Sequence, residues 1–342
     1  MKHSKNRLAG LIAGSLALTA TGALAADELN LYTSRHYQTD EALYENFTKE
    51  TGIKVNRIEG KGNALLQRLE SEGANSPADV FLTVDAGMLW RADQAGLFQP
   101  VKSGVLEEKI PANLRHPDGH WFGFSTRARV IYYNKSKVGA GEISNYEDLA
   151  DEKWRDRVCI RSSSNIYNQS LMSSIIAAHG AEAAEGWAKG VVSNFARDPQ
   201  GGDTDQIRAV AAGECDVGVG NHYYYARLMT NPKEKDKGVA DKVGVVFPNQ
   251  GDRGTHVNVS GGGVLKNAPN KEAAVKFLEY LVSDGAQRYF ADGNNEYPAV
   301  NGVPPNSPLA SLGEFKVDPI NVAVYGDNQP DAQKAMDRVG WK

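Results

Sequence analysis

DVGVGNHYYYARLM, residues 216–229, passes from an apolar strand directly into a helix, and Tyr223, Tyr224 and Tyr225 stand at the junction. The same order of strand, polar turn and helix occurs twice more, in LNLYTSRHYQTDEAL over 29–43 with Tyr37 and in VCIRSSSNIYNQSLM over 158–172 with Tyr167. Ligands of α/β folds gather beyond the carboxyl ends of the strands, so tyrosines at three such ends can converge on one point. Clustered phenols at a cleft point to a hard trivalent metal ion.

Outward from these junctions, apolar runs bounded by turns alternate with amphipathic stretches, the βαβ pattern of a largely parallel sheet. Strands are expected near 29–34, 53–58, 79–84, 129–133, 157–161, 215–219, 243–247 and 256–264. Helices are expected near 39–51, 62–73, 85–95, 145–150, 167–179, 181–194, 203–213, 222–230, 270–284 and 329–339. Two extended segments, HWFGFSTRARVIYYN over 120–134 and VGVVFPNQGDRGTHVNVSGGGVL over 243–265, run through polar or glycine-rich patches without a helix. They read as crossings between two lobes, with Gly261 to Gly263 as a bend. One lobe takes in 26–126 plus 254–303, the other 127–253 plus 304–342.

Ahead of this lies a leader over residues 1–25. Lys2, Lys5 and Arg7 precede an apolar run, and Ala23-Leu24-Ala25 provides a small-residue cleavage site, the pattern of a secretory signal. The remainder lacks an apolar stretch of the roughly 18 residues that span a bilayer, and no cysteine follows the cleavage site, so no membrane insertion of the mature chain is expected. A free periplasmic monomer is the expectation. The formal charge of −4 becomes about −7 once the three basic leader residues are removed, which argues against nucleic acid as a partner. Export permits a disulfide between the two cysteines, Cys159 and Cys215, and a bridge and a pair of buried thiols both fit the sequence.

Neighbours on a strand point to opposite faces, so Tyr223 and Tyr224 can share one ion only from a helix. Asn221 reads as an N-cap, which puts the pair in a first helical turn where side chains fan by about 100°. Tyr225 then points back into its own lobe. Tyr32, Tyr132 and Tyr133 lie in strands and read as packing residues. Glu59 ends the second strand near the cleft but no spacing assigns it a role. Gly60-Lys61-Gly62 lacks the spacing of a phosphate loop, and neither a GxSxG elbow nor HExxH is present, so no enzyme class finds support.

NLYTSRHY at 30–37, SPADVFLTVDAGMLWRADQAGLFQP at 76–100, TRARVIYYN at 126–134 and the Tyr-Tyr pair together resemble the periplasmic ferric-iron-binding proteins of ABC importers, in the tyrosine-rich subgroup seen in cyanobacteria and Campylobacter. The resemblance spans essentially the whole mature chain. It implies an α/β, two-lobed type II periplasmic binding protein fold with a two-strand hinge and a central cleft. It places metal ligands at Tyr37, Tyr167, Tyr223 and Tyr224, with His36 a further candidate beside the first. Four phenolates on a trivalent ion sum to −1, and Arg127 or Arg129, with Arg35 behind them, are the candidate compensating cations. The implied cargo is Fe3+, with Fe2+ and a synergistic anion such as carbonate compatible with the same site, and the implied partner is an inner-membrane permease. The competing reading is the same fold carrying a small anion or a polyamine.

Overall fold

The computed structural model describes Met1 and residues 28–35, 40–230, 232–305 and 307–342. The expected leader beyond Met1, together with His36 and Tyr37, lies outside the described residues. Nine strands are formed among the described residues: β1 Glu28–Thr33, β2 Lys54–Glu59, β3 Val80–Val84, β4 Phe122–Asn134, β5 Val158–Cys159, β6 Val217–Asn221, β7 Val243–Val246, β8 Val257–Val264 and β9 Tyr297–Pro298. The helices that flank them are α1 Asp40–Thr51, α2 Gly62–Glu72, α3 Ala86–Gln94, α4 Gly104–Lys109, α5 Ile166–His179, α6 Ala181–Ser193, α7 Asp203–Ala212, α8 His222–Thr230, α9 Val239–Lys242, α10 Lys271–Leu281, α11 Asp284–Asn294, α12 Ser307–Ala310 and α13 Ala323–Arg338.

The strand that organises the molecule is β4. Its 13 residues are almost all buried, and it belongs to two pairings in succession. Phe122–Ala128 lies antiparallel to β8, which continues through β3, β1 and β2. Arg129–Tyr133 lies antiparallel to β6, whose far side carries β5 in parallel. The sequence expectation of a strand over 129–133 therefore captures only the second half of β4. Its first half, FGFSTRA, is buried on both faces and lacks the polar and apolar alternation that marks a half-solvated strand.

The three consecutive glycines of β8 have a different role from the bend expected of them. A Cβ at Gly261 would lie 2.5 Å from the carbonyl of Phe122, at Gly262 2.5 Å from that of Phe81, and at Gly263 2.2 Å from that of His120. They let two neighbouring strands close on β8 where any side chain would collide.

The apolar core follows the split sheet. One cluster joins β1, β3 and the first half of β4 to α1, α3, α10 and α11 through residues such as Phe47, Phe81, Phe122, Phe277 and Phe290. Two others lie on the second half, around Trp154, Trp187 and Trp341 and around Tyr132, Val210 and Tyr225. Helix α13 straddles them, with Tyr325 in the first cluster and Ala332, Ala335 and Met336 in the second. It starts six residues before the expected position, because Pro330 sits inside the helix rather than at its first turn. The helix expected over 270–284 is α10, and a further helix that was not expected, α11, follows it, its start capped by Ser283, which accepts from the amide of Ala286 at 3.3 Å. Cys159 and Cys215 are bonded to each other, with their Cα atoms 5.8 Å apart.

Candidate metal centre

The parallel register of β5 on β6 sets the carboxyl ends of both strands side by side, so the helices that follow them begin on the same edge. β6 ends at Asn221 and α8 begins at His222, leaving no turn between them. Tyr223 and Tyr224 thus stand in the first turn of α8, with ring centroids 4.3 Å apart. Tyr223 is only 1% exposed; Tyr224 is partly exposed. The expected N-cap, Asn221, instead accepts from the Arg129 guanidinium at 3.0 Å through its side-chain oxygen. Tyr225 points into its own half and donates its hydroxyl to the carbonyl of Val243 at 2.9 Å.

Tyr167 is the second residue of α5, and three guanidiniums surround its ring: Arg127 at 5.8 Å, Arg129 at 5.9 Å and Arg161 at 5.9 Å from the centroid. These are cation and π-face distances. The cations are anchored rather than free to swing. Asp203, fully buried at the start of α7, accepts from Arg129 through one oxygen at 3.1 Å and from Arg161 through the other at 3.1 Å. Arg127 donates to the carbonyl of Val259 on β8 at 2.6 Å, so it reaches the site from the other half of the sheet. A fourth guanidinium, Arg227, lies 5.1 Å from the Tyr223 ring.

Burial is the main cause that pushes the Tyr224 phenol above its ordinary value; Tyr167 and Asp203 push the same way, while a hydrogen bond to Tyr223 and the charge of Arg161 oppose them. The influence of Tyr167 on Tyr224 places these two phenols within electrostatic reach of each other. The structure therefore brings Tyr167, Tyr223 and Tyr224 together with Arg127 and Arg129.

Arg35 lies over the Phe290 ring, 5.0 Å from its centroid. It is buried and grips Asp40 with two nitrogens, at 2.9 and 3.1 Å, and Glu296 with the third at 3.1 Å. Arg35 and Asp40 are the described residues on either side of 36–39, so their ion pair ties together the two ends of the segment that carries His36 and Tyr37. Nearby, a cleft of ≈ 890 Å³ runs between the ends of β1, β2 and β3 and the turn before α5, lined by Ser34, Glu59, Lys61, Thr83, Ser164 and Asn165 among others. Glu59 reaches it ion-paired to Arg57 at 2.9 Å.

Residues 75–314 match the family described as bacterial extracellular solute-binding protein. The chain belongs to that family. This solute-binding protein is 57% identical over 316 residues to Iron uptake protein A2 of Synechocystis sp., an alignment that takes in 92% of this chain and 90% of that one. Among solved structures it is similar to the Trichodesmium protein (IdiA, FutA) in complex with iron and citrate ligands, with 65% identity, a TM-score of 0.90 and coverage of 92% of this chain and 100% of that chain. It is also similar to the ferric binding protein from Campylobacter jejuni, with 42% identity, a TM-score of 0.87 and the same coverage of the two chains. The fold of this solute-binding protein is the two-lobed α/β periplasmic binding fold with a cleft between the lobes, and β4 pairs in succession with strands of each half of the sheet.

Sequence reasoning missed Arg161 and Asp203. Arg161 lies in the polar turn of VCIRSSSNIY, six residues before Tyr167, and a cation in that turn was a readable signal. Asp203 follows Gly201-Gly202 and opens a helix, where an acid reads as a helix-dipole partner; its ion pairs come from a strand and a turn 74 and 42 residues away and leave no local trace.

Proposed function

We propose that this protein is the periplasmic solute-binding component of an ABC importer and that its cargo is ferric iron, held by the phenolates of Tyr37, Tyr167, Tyr223 and Tyr224, with His36 a further candidate. The observation that carries the reading is the meeting of Tyr167, Tyr223 and Tyr224 under the guanidiniums of Arg127, Arg129 and Arg161. Ferric ion is hard and prefers anionic oxygen. A phenol titrates near ~10 in water, and Tyr224 lies higher still because it is buried. The trivalent ion supplies what the protein does not, since a bound cation ionises its own ligands. Four phenolates leave the complex one negative charge in excess, and the arginines supply the opposing charge close by. The same guanidiniums suit a synergistic anion such as carbonate, and Fe2+ is a compatible second cargo.

The arginines also weigh against the rival readings. A polyamine is a polycation and would enter a site lined by like charge, at a cost in a poorly solvated cleft. A small-anion carrier would use the guanidiniums but leave three converging phenols without a role. The family is one of solute-binding proteins, and no chemistry of turnover is needed to explain the site; we read the protein as a carrier, not an enzyme.

In this reading residues 1–25 are a secretory signal removed on export. The lobe formed by 26–126 and 254–303 supplies Tyr37, and the lobe formed by 127–253 and 304–342 supplies the other three tyrosines. Closure of the two on the ion, about the crossings at 120–134 and 243–265, gives the shape that an inner-membrane permease recognises. The mature chain works as a monomer. Among the described residues no helix is long and apolar enough to cross a membrane.

The test is an absorption spectrum of the purified protein during titration with ferric citrate. A phenolate-to-iron charge-transfer band, orange to red, rising to one equivalent is the expected result. A colourless protein that takes up citrate or a polyamine without iron would overturn the reading.

A further inference from the structure

Away from the cleft, α3 ends beside a tight turn that precedes β4. Arg115 bridges to Phe122, and the amide of His116 donates to the carbonyl of Trp121 at 2.9 Å, so His116 and His120 stand at the two sides of one hairpin. Their rings stack with centroids 4.6 Å apart and planes within 7°. Parallel stacking turns the edges of both rings towards the same carboxylate. His120 Nδ1 is 2.6 Å from one oxygen of Asp93, and His116 Nε2 is 3.4 Å from the other. One potential ligand atom from each of the three residues lies within 4.8 Å of the other two. Asp118 and Asp327 add negative charge around His116, and Asp327 is fixed by the indole of Trp90 at 2.7 Å.

We propose that Asp93, His116 and His120 form a second metal site, for a divalent first-row transition ion of the zinc class, separate from the cleft tyrosines. Two imidazoles and a carboxylate are a borderline donor set that suits such ions and not the hard ferric ion. Zinc bonds of ~2.0–2.2 Å set tetrahedral ligand atoms about 3.3 Å apart, which the three side chains reach by small rotations. Asp93 lies eight residues after Asp85, at the cleft end of α3, and so about 12 Å along the helix from the cleft. Loading shifts the ring protons within the two imidazoles. The ion replaces the hydrogen bond between His120 and Asp93, so His120 frees Nδ1 by holding its proton on Nε2, and His116 frees Nε2 by holding its proton on Nδ1. That atom now accepts from the amide of Asp118 at 3.1 Å; Asp118 is exposed, so its amide turns to water. Solvent completes the coordination. The bound ion would pin α3 to the hairpin that leads into β4.

The probe is zinc chloride, titrated calorimetrically into the full chain carrying Tyr223→Phe and Tyr224→Phe, so that the cleft does not compete. One zinc is expected to bind in that background. Adding His116→Ala and His120→Ala is expected to weaken zinc by more than the ~10–100-fold that outer partners of a metal site contribute, with the far-ultraviolet circular dichroism unchanged. Should the alanine chain misfold, His116→Gln with His120→Gln repeats the test. Zinc-edge X-ray absorption on the unsubstituted chain gives an independent reading, with two imidazoles expected in the shell. Absence of zinc binding, zinc affinity unchanged by the histidine substitutions, or a shell without imidazole overturns the proposal.

Discussion

The rings of Tyr223 and Tyr224 stand 4.3 Å apart, inclined at 32°, on consecutive residues of one helical turn. Adjacent strand residues could not do this, and the arrangement exists because β6 runs into α8 without a connecting turn. The cost is burial of two phenols beside Tyr167 and Asp203, which opposes the ionisation of Tyr224. Tyr224 is poised to stay protonated until a cation arrives, which makes proton release part of cargo capture.

Removing both hydroxyls tests that pairing. Tyr223→Phe with Tyr224→Phe keeps the ring packing, so urea unfolding should move by less than the ~1–3 kcal/mol of a lost buried hydrogen bond network. Iron affinity should fall by more than ~100-fold, since ligands matter more than their outer partners. The absorption band of the ferric complex measures this, and a double variant as coloured as the parent refutes the assignment of the pair.

Arg161 acts on the same equilibrium from outside. Its charge favours ionised Tyr224, its side chain is 21% exposed, and it is ion-paired to Asp203 at 3.1 Å. In Arg161→Gln the phenol ionises less readily. The pH midpoint at which the ferric band appears should shift upward. A downward or absent shift contradicts the role.

How much of this was legible in advance depends on the range of each interaction. The strand-to-helix junctions at 158–172 and 216–229 were readable because periodicity and turn residues are local signals. That Tyr225 faces inward followed from the same turn geometry, and its hydroxyl is indeed spent on Val243. The first half of β4 was readable as an extended crossing but not as part of one strand with 129–133, because residues buried on both faces carry no alternation. Asp203 was hidden for another reason: its partners Arg129 and Arg161 are 74 and 42 residues away. The glycines of β8 were visible as special but not for the right cause, since a close approach of two neighbouring strands is a tertiary fact.

Arg129 is bound to serve structure as well as charge. It donates to Asp203, Asn221 and Asn168 while nearly fully buried. Arg129→Met leaves the Asp203 carboxylate with Arg161 and the Asn221 amide, so the loss should be near the lower end for a broken buried pair, about 3 kcal/mol. Urea unfolding measures it; a loss below about 1 kcal/mol means that the network is dispensable.

The Cys159 to Cys215 bond closes a loop across 56 residues of sequence and joins the ends of the two strands that lead to the site tyrosines. Loop-closure entropy puts its contribution at about 4 kcal/mol. The double serine variant, or the parent under dithiothreitol, should unfold at correspondingly lower urea. Equal midpoints for oxidised and reduced protein would show that the bond constrains nothing.

The last prediction concerns acid. His256, in the segment that carries the chain from β7 to β8, is buried against Tyr325, with ring centroids 4.6 Å apart. Burial, with the charges of Arg129 and Arg253 beside it, pushes its imidazole down to about 3. Unfolded, the ring takes a proton near its ordinary ~6.5. The unfolded chain thus binds the extra proton over this range, and stability present above pH ~6.5 drains away as pH falls towards the folded value. From pH 6.5 to 5 the single ring should cost about 2 kcal/mol. Urea unfolding at these two pH values should show that decline in the parent and a shallower one in His256→Phe, which keeps an aromatic ring but cannot charge. An equal decline in both chains places the acid sensitivity elsewhere. A shallower one in the variant assigns that share of the acid sensitivity to His256.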